Sequence, residues 1–394
     1  MITQTDVLII GAGASGLMCA LTAGQRGRKV LVIDHGEKPG RKILISGGGK
    51  CNFTNEEVRA EHYICHNPHF CRSALSRFTS QDFLAMVRRH GIAFSRREHG
   101  QLFCERGAGD ILNMLLMECR QAGVEFQMGA PVDAVEHPAE RQFKVRTGQT
   151  EMTAESLVVA CGGLAMPSAG ASSLGYTLAA QFNLKVWPPA PGLVPFTLQP
   201  KDRASLQSLS GIALPVEVLC GGKRFYENLL FTHRGLSGPV ILQSSLYWQP
   251  GDILTVNWLP HLDLIEELKA QQIHHPRRSV KTALAQYLPK RLVAVLAAPD
   301  LCDQPLQSVS QSQFKQLVAQ VQQWSIKPGG TEGFRTAEVT LGGVDCAAIS
   351  SKTMEAVAIP GLFFIGEVLD VTGWLGGYNL QWAWSSGWCA GQYV

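Results

Sequence analysis

Apolar residues enter this chain in short unbroken runs that stop at glycine. Val7-Leu8-Ile9-Ile10 leads into Gly11-Ala12-Gly13-Ala14-Ser15-Gly16, Leu157-Val158-Val159-Ala160 into Cys161-Gly162-Gly163, and Leu362-Phe363-Phe364-Ile365 into Gly366-Glu367. A run without polar alternation suits a strand covered on both faces, as in a parallel sheet. The first run predicts a strand, and residues 14 to about 26 predict a helix that Gly27 ends. A second strand over 29–33 stops at Asp34. Further along, Thr79-Ser80 caps a helix reaching His90 and closed by Gly91, and 110–121 predict another closed at Gly123. Residues 124–127 and 143–146 read as short strands.

Strand-to-glycine junctions so far apart imply an α/β domain that is interrupted in sequence. The interruption begins at Trp187-Pro188-Pro189-Ala190-Pro191-Gly192, where prolines punctuate the chain. Strand-like runs follow at 194–198, 216–219, 240–242 and 254–258 and predict a small barrel or sandwich. From 262 to about 324 the pattern turns helical, with Leu264, Leu268 and Ile273, then Leu284, Leu288, Leu292 and Leu296, on apolar faces. Residues 334–358 read as strands that return to the β subdomain. The expected division is therefore 1–188, 189–260, 261–330, 331–358 and 359–394, with the first and last segments forming one domain. No internal repeat or low-complexity tract is present.

The glycine spacing carries chemistry. In G-x-G-x-x-G, Gly11 permits the tight turn, Gly13 lets a pyrophosphate approach the backbone, and Gly16 lets helix and strand pack closely. The unmatched N–H groups of the first helical turn face the phosphates. Asp34, 23 residues after Gly11, suits a free ribose 2′-hydroxyl, which favours FAD or NAD over NADP. A second glycine cluster, Gly47-Gly48-Gly49, sits within the run from Lys38 to Asn55 and suits a backbone laid against an anion or a flat ring. It is not a P-loop, because Leu44 and Cys51 stand where that motif needs glycine and Ser or Thr. Arg41 and Lys42 are cations for the pyrophosphate. Gly373, Gly376 and Gly377 precede a closing helix from near Tyr378, whose positive end faces a ligand. Gly170 to Gly175 lacks a preceding apolar strand, so no second fingerprint is present.

Composition narrows the class. A chain of 394 residues with 45% apolar and 17% charged residues is globular and of more than one domain. The net charge is +3, and residues 261–330, with eight Lys/Arg against five Asp/Glu, account for all of it. That segment, with Arg277, Arg278, Lys281, Lys290 and Arg291, reads either as a solvated helical surface or as a face for a polyanion. Eleven scattered cysteines without C-x-x-C point to reduced thiols, and the histidines show no metal-ligand spacing. No apolar run reaches membrane-spanning length, and the first strand leaves no room for a signal peptide, so a cytoplasmic protein without a metal is expected.

The chain resembles the BaiN/RdsA-type family of FAD-dependent oxidoreductases. The resemblance rests on the fingerprint, the G-R-K-x-x-x-S-G-G-G-K-C-N-F-T-N run from Gly40, L-F-T-H-R-G-L-S-G-P from Leu230, T-L-G-G-V from Thr340 and G-E-V-x-D-V-x-G-x-x-G-G-Y-N from Gly366. It implies a discontinuous Rossmann-like FAD-binding domain, related to glutathione-reductase-like enzymes, carrying an inserted β-barrel-like subdomain and a small helical one. It also implies FAD rather than NAD. Gly11, Gly13, Ala14, Ser15, Gly16 and Asp34 would then hold the adenosine and pyrophosphate, with Arg41, Lys42, Ser46, Gly47, Gly48, Gly49, Asn52 and Gly162 beside them. Gly366 and Glu367 would hold the ribityl end, and Gly376, Gly377, Tyr378 and Asn379 the flavin edge.

Flavin supplies a hydride, and the protein must supply a proton and a pocket. Cys51, His233 and Tyr378 are the proton-donor candidates, each with an ordinary structural role as its alternative. The resemblance implies two substrate classes, a uracil of large-subunit (23S) ribosomal RNA reduced to dihydrouridine, or an enone-type, steroid-like molecule. NAD(P)H is the expected transient donor, visiting without a Rossmann domain of its own. A non-catalytic, flavin-stabilised binding protein is the third reading.

Overall fold

Val7, Leu8 and Ile9 are fully buried because their strand, Ile2–Ile10, has parallel neighbours on both sides. The computed structural model describes residues 2–394. Its first unit runs to Pro191 and resumes with Ala337–Val394, and its second is Gly192–Thr336. In the first unit the strand order is Glu125–Met128, Val30–Asp34, Ile2–Ile10 and Thr150–Val159. Beyond the last of these, the strand Gln142–Thr147 pairs antiparallel with its first half and Leu362–Phe364 parallel with its second, and Ala134–Ala139 closes the edge. In register, Ile10 lies against both Val159 and Ile33, and Val159 against Phe364. Four parallel strands therefore end together, which delivers Gly11, Asp34, Gly162 and Gly366 to one edge of the sheet.

Helix Ala14–Gln25 is buried from Ser15 through Gly24. Against it lies Tyr378–Gly391, close enough that a Cβ on Gly387 would stand 2.4 Å from the Ser15 carbonyl oxygen. Each large apolar side chain that this contact removes from water, such as Leu17 or Met18, contributes about 1.5–3 kcal/mol. The helix expected at 80–90 is Ser80–Arg89. Its start is fixed reciprocally, with Asp82 N–H donating to Thr79 Oγ1 at 3.3 Å and Thr79 N–H donating to Asp82 Oδ2 at 2.7 Å. The helix expected at 110–121 is Ala108–Gln121.

The second unit holds a seven-stranded antiparallel sheet, in the order Trp324–Ile326, Leu254–Asn257, Ala213–Cys220, Lys223–Phe231, Gly235–Ser237, Phe196–Leu198 and Pro328–Thr331. Its two edge strands are joined through Lys327 alone, so the sheet curls back toward itself, although among the described residues no ladder of hydrogen bonds closes it. Between Leu254–Asn257 and Trp324–Ile326 the chain is helical, with Leu264–His274, Val280–Leu284, Lys290–Leu296 and Gln311–Gln322 as its main elements.

Three local expectations need correction. Residues 240–242 lie in a helix, Pro239–Ser245, not a strand. Pro239 occupies the first helical turn after Gly238, and the Ser244 hydroxyl donates to the Val240 carbonyl. Ile273 is 75% exposed, because the buried stripe runs Leu264, Leu268, Gln271 and position 273 falls on the opposite helix face. The stretch 337–358, expected with the β subdomain, lies in the first unit, where Val339–Val344 pairs with Val186–Gly192. The prolines of 188–191 are tolerated there because a two-stranded sheet has free edges. Among the described residues no helix is long and apolar enough to cross a membrane.

Candidate cofactor and active site

The three fingerprint glycines have different causes. Gly11 has φ 117°, and a Cβ there would stand 2.3 Å from the Ala160 carbonyl oxygen. At Gly16 an added Cβ would stand 1.9 Å from the Gly11 carbonyl oxygen. Nothing lies within 4 Å of the corresponding point at Gly13, whose backbone is extended and open to any residue. The protein's own packing explains Gly11 and Gly16 and leaves Gly13 facing open space. Helix Ala14–Gln25 also starts with no side-chain cap and no acid in its first turn, so its N–H groups remain available to an anion. Asp34 sits beside this turn, accepting from Ala12 N–H and Gly36 N–H, both at 2.7 Å.

The second glycine cluster is a left-handed turn, with φ 57°, 64° and 83° at Gly47, Gly48 and Gly49. Packing accounts for Gly47, where a Cβ would meet the Phe103 ring at 2.8 Å, but nothing lies within 4 Å at Gly48. Gly162 is likewise open. The Ser46 hydroxyl is spent on the Ile43 carbonyl at 2.7 Å. On the preceding turn Leu44 and Ile45 are 39% and 43% exposed, apolar surface that a flat ring system would cover. These open glycines and bare aliphatic side chains fit a dinucleotide with a planar head.

Other expected cofactor residues are committed to one another. The Lys42 ammonium donates to Glu367 Oε2 at 2.6 Å, and Glu367 Oε1 accepts Thr340 N–H at 2.8 Å. Arg41 donates to the Ser168 carbonyl. Ser15 packs against Gly366, whose N–H donates to Ser386 Oγ. Asn52 lies 2.9 Å from Gln101 Oε1, Gly377 packs on the Thr54 carbonyl, Gly376 on Gln101, and Asn379 closes its own turn onto Gly373.

Sequence reasoning assigned no role to three neighbours of Lys42 and Glu367. The Thr340 hydroxyl accepts the N–H groups of Leu164 and Ala165, at 2.8 and 3.1 Å. The Tyr176 hydroxyl is buried without a hydrogen-bond partner, and burial followed by the nearby Glu367 raises its pKa. Glu338 is exposed, with Lys42 near it. The T-L-G-G-V run signalled Thr340 in the sequence; nothing there singled out Tyr176 or Glu338.

The proton-donor candidates differ in setting. Cys51 is wholly buried at φ 49°, and burial, partly offset by a hydrogen bond with Ser46, pushes its thiol up to about 12. Tyr378 begins the last helix, and its ring packs 4.7 Å from His62 and 6.2 Å from Tyr63, centroid to centroid. Burial, then Glu57, raises its phenol to about 12. His62 and Trp374, on the open side of this aromatic group, are half-buried and 5.1 Å apart. His233 belongs to the second unit, exposed on the turn between Lys223–Phe231 and Gly235–Ser237.

A parallel sheet whose strand ends converge on an open glycine turn and an uncapped helix defines a Rossmann-type dinucleotide-binding fold. The model of the family described as HI0933-like protein Rossmann domain matches residues 5–393, and the chain belongs to that family. It is 51% identical over 389 residues to the ribosomal RNA dihydrouridine synthase of Escherichia coli, covering 98% of this chain and 97% of that protein. It is 31% identical over 401 residues to the 3-dehydro-bile acid delta(4,6)-reductase of Clostridium scindens, covering 98% and 97%. Among solved structures, the 3-ketosteroid-delta4-(5alpha)-dehydrogenase of Rhodococcus jostii shares the fold, with TM-score 0.50 and 15% identity over 99% of this chain and 97% of that one. With full-length relatives named as a synthase and a reductase, the chain is an FAD-dependent oxidoreductase, which displaces the non-catalytic reading.

Proposed function

We propose that this protein holds FAD along the edge formed by Gly11, Gly13, Asp34, Gly48 and Gly162, and reduces a uracil of 23S ribosomal RNA to dihydrouridine. The full-length identity of 51% to a ribosomal RNA dihydrouridine synthase carries this reading. Bound flavin supplies hydride to an electron-poor double bond, with NAD(P)H replenishing it. The chain's own residues do the rest. The open N-terminal turn at Gly13 receives the pyrophosphate, and Asp34 the ribose. Leu44 and Ile45 shield the ring from water. A proton must reach the substrate carbon, and Tyr378 leads the candidates because its phenol stays protonated through neutral pH and its ring adjoins the half-open His62 and Trp374. Cys51 is also protonated but sealed from solvent, and His233 is the third candidate. The reaction belongs to the cytoplasm, where ribosomal RNA is made.

Deletion of the gene tests this reading in the cell. Loss of one dihydrouridine from 23S rRNA, restored by the wild-type gene, is expected; an unchanged modification map contradicts it. The second reading, reduction of a compact enone, is favoured by the 31% identity to a bile acid reductase. It predicts turnover of a steroid enone and no affinity for RNA.

A further inference from the structure

Eleven thiols are present in the chain, and none is joined in a disulfide. One pair is arranged to be. Cys65 is half-buried, and its sulfur accepts the Asn67 N–H at 3.3 Å. Cys346 is 1% exposed, its thiol neighbours that of Cys65, and its sulfur lies 3.7 Å from the Asp370 carbonyl oxygen. The same Asp370 holds the neighbour of the other thiol. Its Oδ2 accepts from His66 N–H and lies 2.9 Å from His66 Nδ1, pinning the residue that follows Cys65. Asp370 thus meets the Cys346 sulfur through its carbonyl and the residue after Cys65 through its carboxylate, from two distant segments of the first unit. Three further pairs of thiols are neighbours, Cys19 with Cys119, Cys51 with Cys104 and Cys71 with Cys65 itself, but Cys19, Cys119, Cys51, Cys104 and Cys71 are all at most 1% exposed. An oxidant reaches Cys65 before it reaches any of them.

We propose that Cys65 and Cys346 are a modification site, closed to a reversible disulfide by a hydroperoxide. In the first step the Cys65 sulfur attacks one peroxide oxygen and the O–O bond breaks. Sulfur loses two electrons and keeps that oxygen as a sulfenic acid, and the other peroxide oxygen leaves with the thiol proton, as water from hydrogen peroxide or as an alcohol from an organic hydroperoxide. In the second step the Cys346 sulfur displaces hydroxide from Cys65, the S–S bond forms, and the Cys346 proton leaves with that hydroxide as water. A thiol reductant reverses the bond. The cross-link ties the strand Tyr63–Ile64 to the turn Cys346–Ala348, and that strand pairs with Thr372–Gly373 of the last glycine-rich segment.

The test treats the purified flavin-loaded protein with hydrogen peroxide, blocks remaining thiols and maps peptides by mass spectrometry. The expected product links Cys65 to Cys346 at about tenfold or more over any other pair and disappears with dithiothreitol. In Cys346→Ser and Cys346→Ala, the sulfenic acid persists at Cys65 and is captured by dimedone; Cys65→Ser shows neither capture nor cross-link. A cross-link to Cys71 instead, or sulfinic acid at Cys65 in the wild type without any cross-link, overturns the proposal. Because the readout is a bond and not turnover, it is independent of the substrate.

Discussion

The two ends of helix Ala14–Gln25 are finished in opposite ways. At the C-terminal end the protein supplies partners: Gly27 N–H donates to the Gly24 carbonyl at 2.8 Å and Arg28 N–H to the Ala23 carbonyl at 3.2 Å, while the Gln25 amide donates to Glu118 Oε2 at 3.1 Å and the Arg26 guanidinium to the carbonyls of Gly391 and Val394 at 2.9 and 3.1 Å. At the N-terminal end there is no cap, no acid and, at Gly13, no neighbour. A helix start costs stability when its N–H groups lack partners, so an end left open in an otherwise closed sheet edge marks a place where a ligand completes the fold. The same contrast recurs between Gly47, held by Phe103, and Gly48, held by nothing.

That contrast is broken most severely at Gly16. Gly16→Ala places a Cβ against the Gly11 backbone, and chemical denaturation of the flavin-free protein should show a loss of about 3 kcal/mol or more. A loss below about 1 kcal/mol would mean that packing does not fix this glycine.

The closed end is sharpened at Glu118. Burial raises its carboxyl, but hydrogen bonds from His90 at 2.6 Å and Arg89 at 2.9 Å outweigh it, and the net pKa is lowered. A lowered folded-state pKa contributes stability that is present above the ordinary glutamate value of 4.5 and is lost as pH falls through the folded value. Glu118→Gln should cost about 1–3 kcal/mol at neutral pH and flatten the acid limb below about pH 4.5, seen as a smaller drop in Tm. An acid limb unchanged in the variant argues against this network.

At the open end smaller stability effects accompany larger binding effects. Gly48→Ala, at φ 64°, should cost about 1 kcal/mol of stability, with weaker flavin retention on gel filtration. Gly13→Asp should raise the stability of the flavin-free protein by a few tenths of a kcal/mol, roughly the margin of Asp over Gly as a helix cap, and abolish flavin retention through repulsion of the pyrophosphate. Retained flavin in Gly13→Asp would remove Gly13 from the site.

The first unit was legible because its signals are local. Four apolar runs ending on glycine or Asp34 specify strands and where they stop, and these strands pair as expected. The second unit was less so. Val240 and Ile241 form an apolar run too short to separate a buried strand from a buried helix, and Lys223–Phe231, the longest strand of that sheet, carries charge at Lys223, Arg224 and Glu227 without a regular apolar alternation and was not recognised as a strand. The site divided in the same way. Gly11, Gly13 and Asp34 were readable from spacing, whereas the Lys42–Glu367–Thr340 contacts join residues more than three hundred positions apart in the chain or brought together only by the fold. Burial, which seals Cys51 and deprives the Tyr176 hydroxyl of a partner, has no sequence signature at all.

The most direct test is a single turnover without oxygen. Flavin-loaded protein, reduced in advance, is mixed with 23S rRNA lacking the modification, and flavin oxidation is followed alongside mass analysis of the RNA. The account predicts that the flavin is oxidised while one uridine gains two hydrogens, in equal amounts. Reduced flavin that persists in the presence of the RNA but is rapidly oxidised by a steroid enone would contradict it.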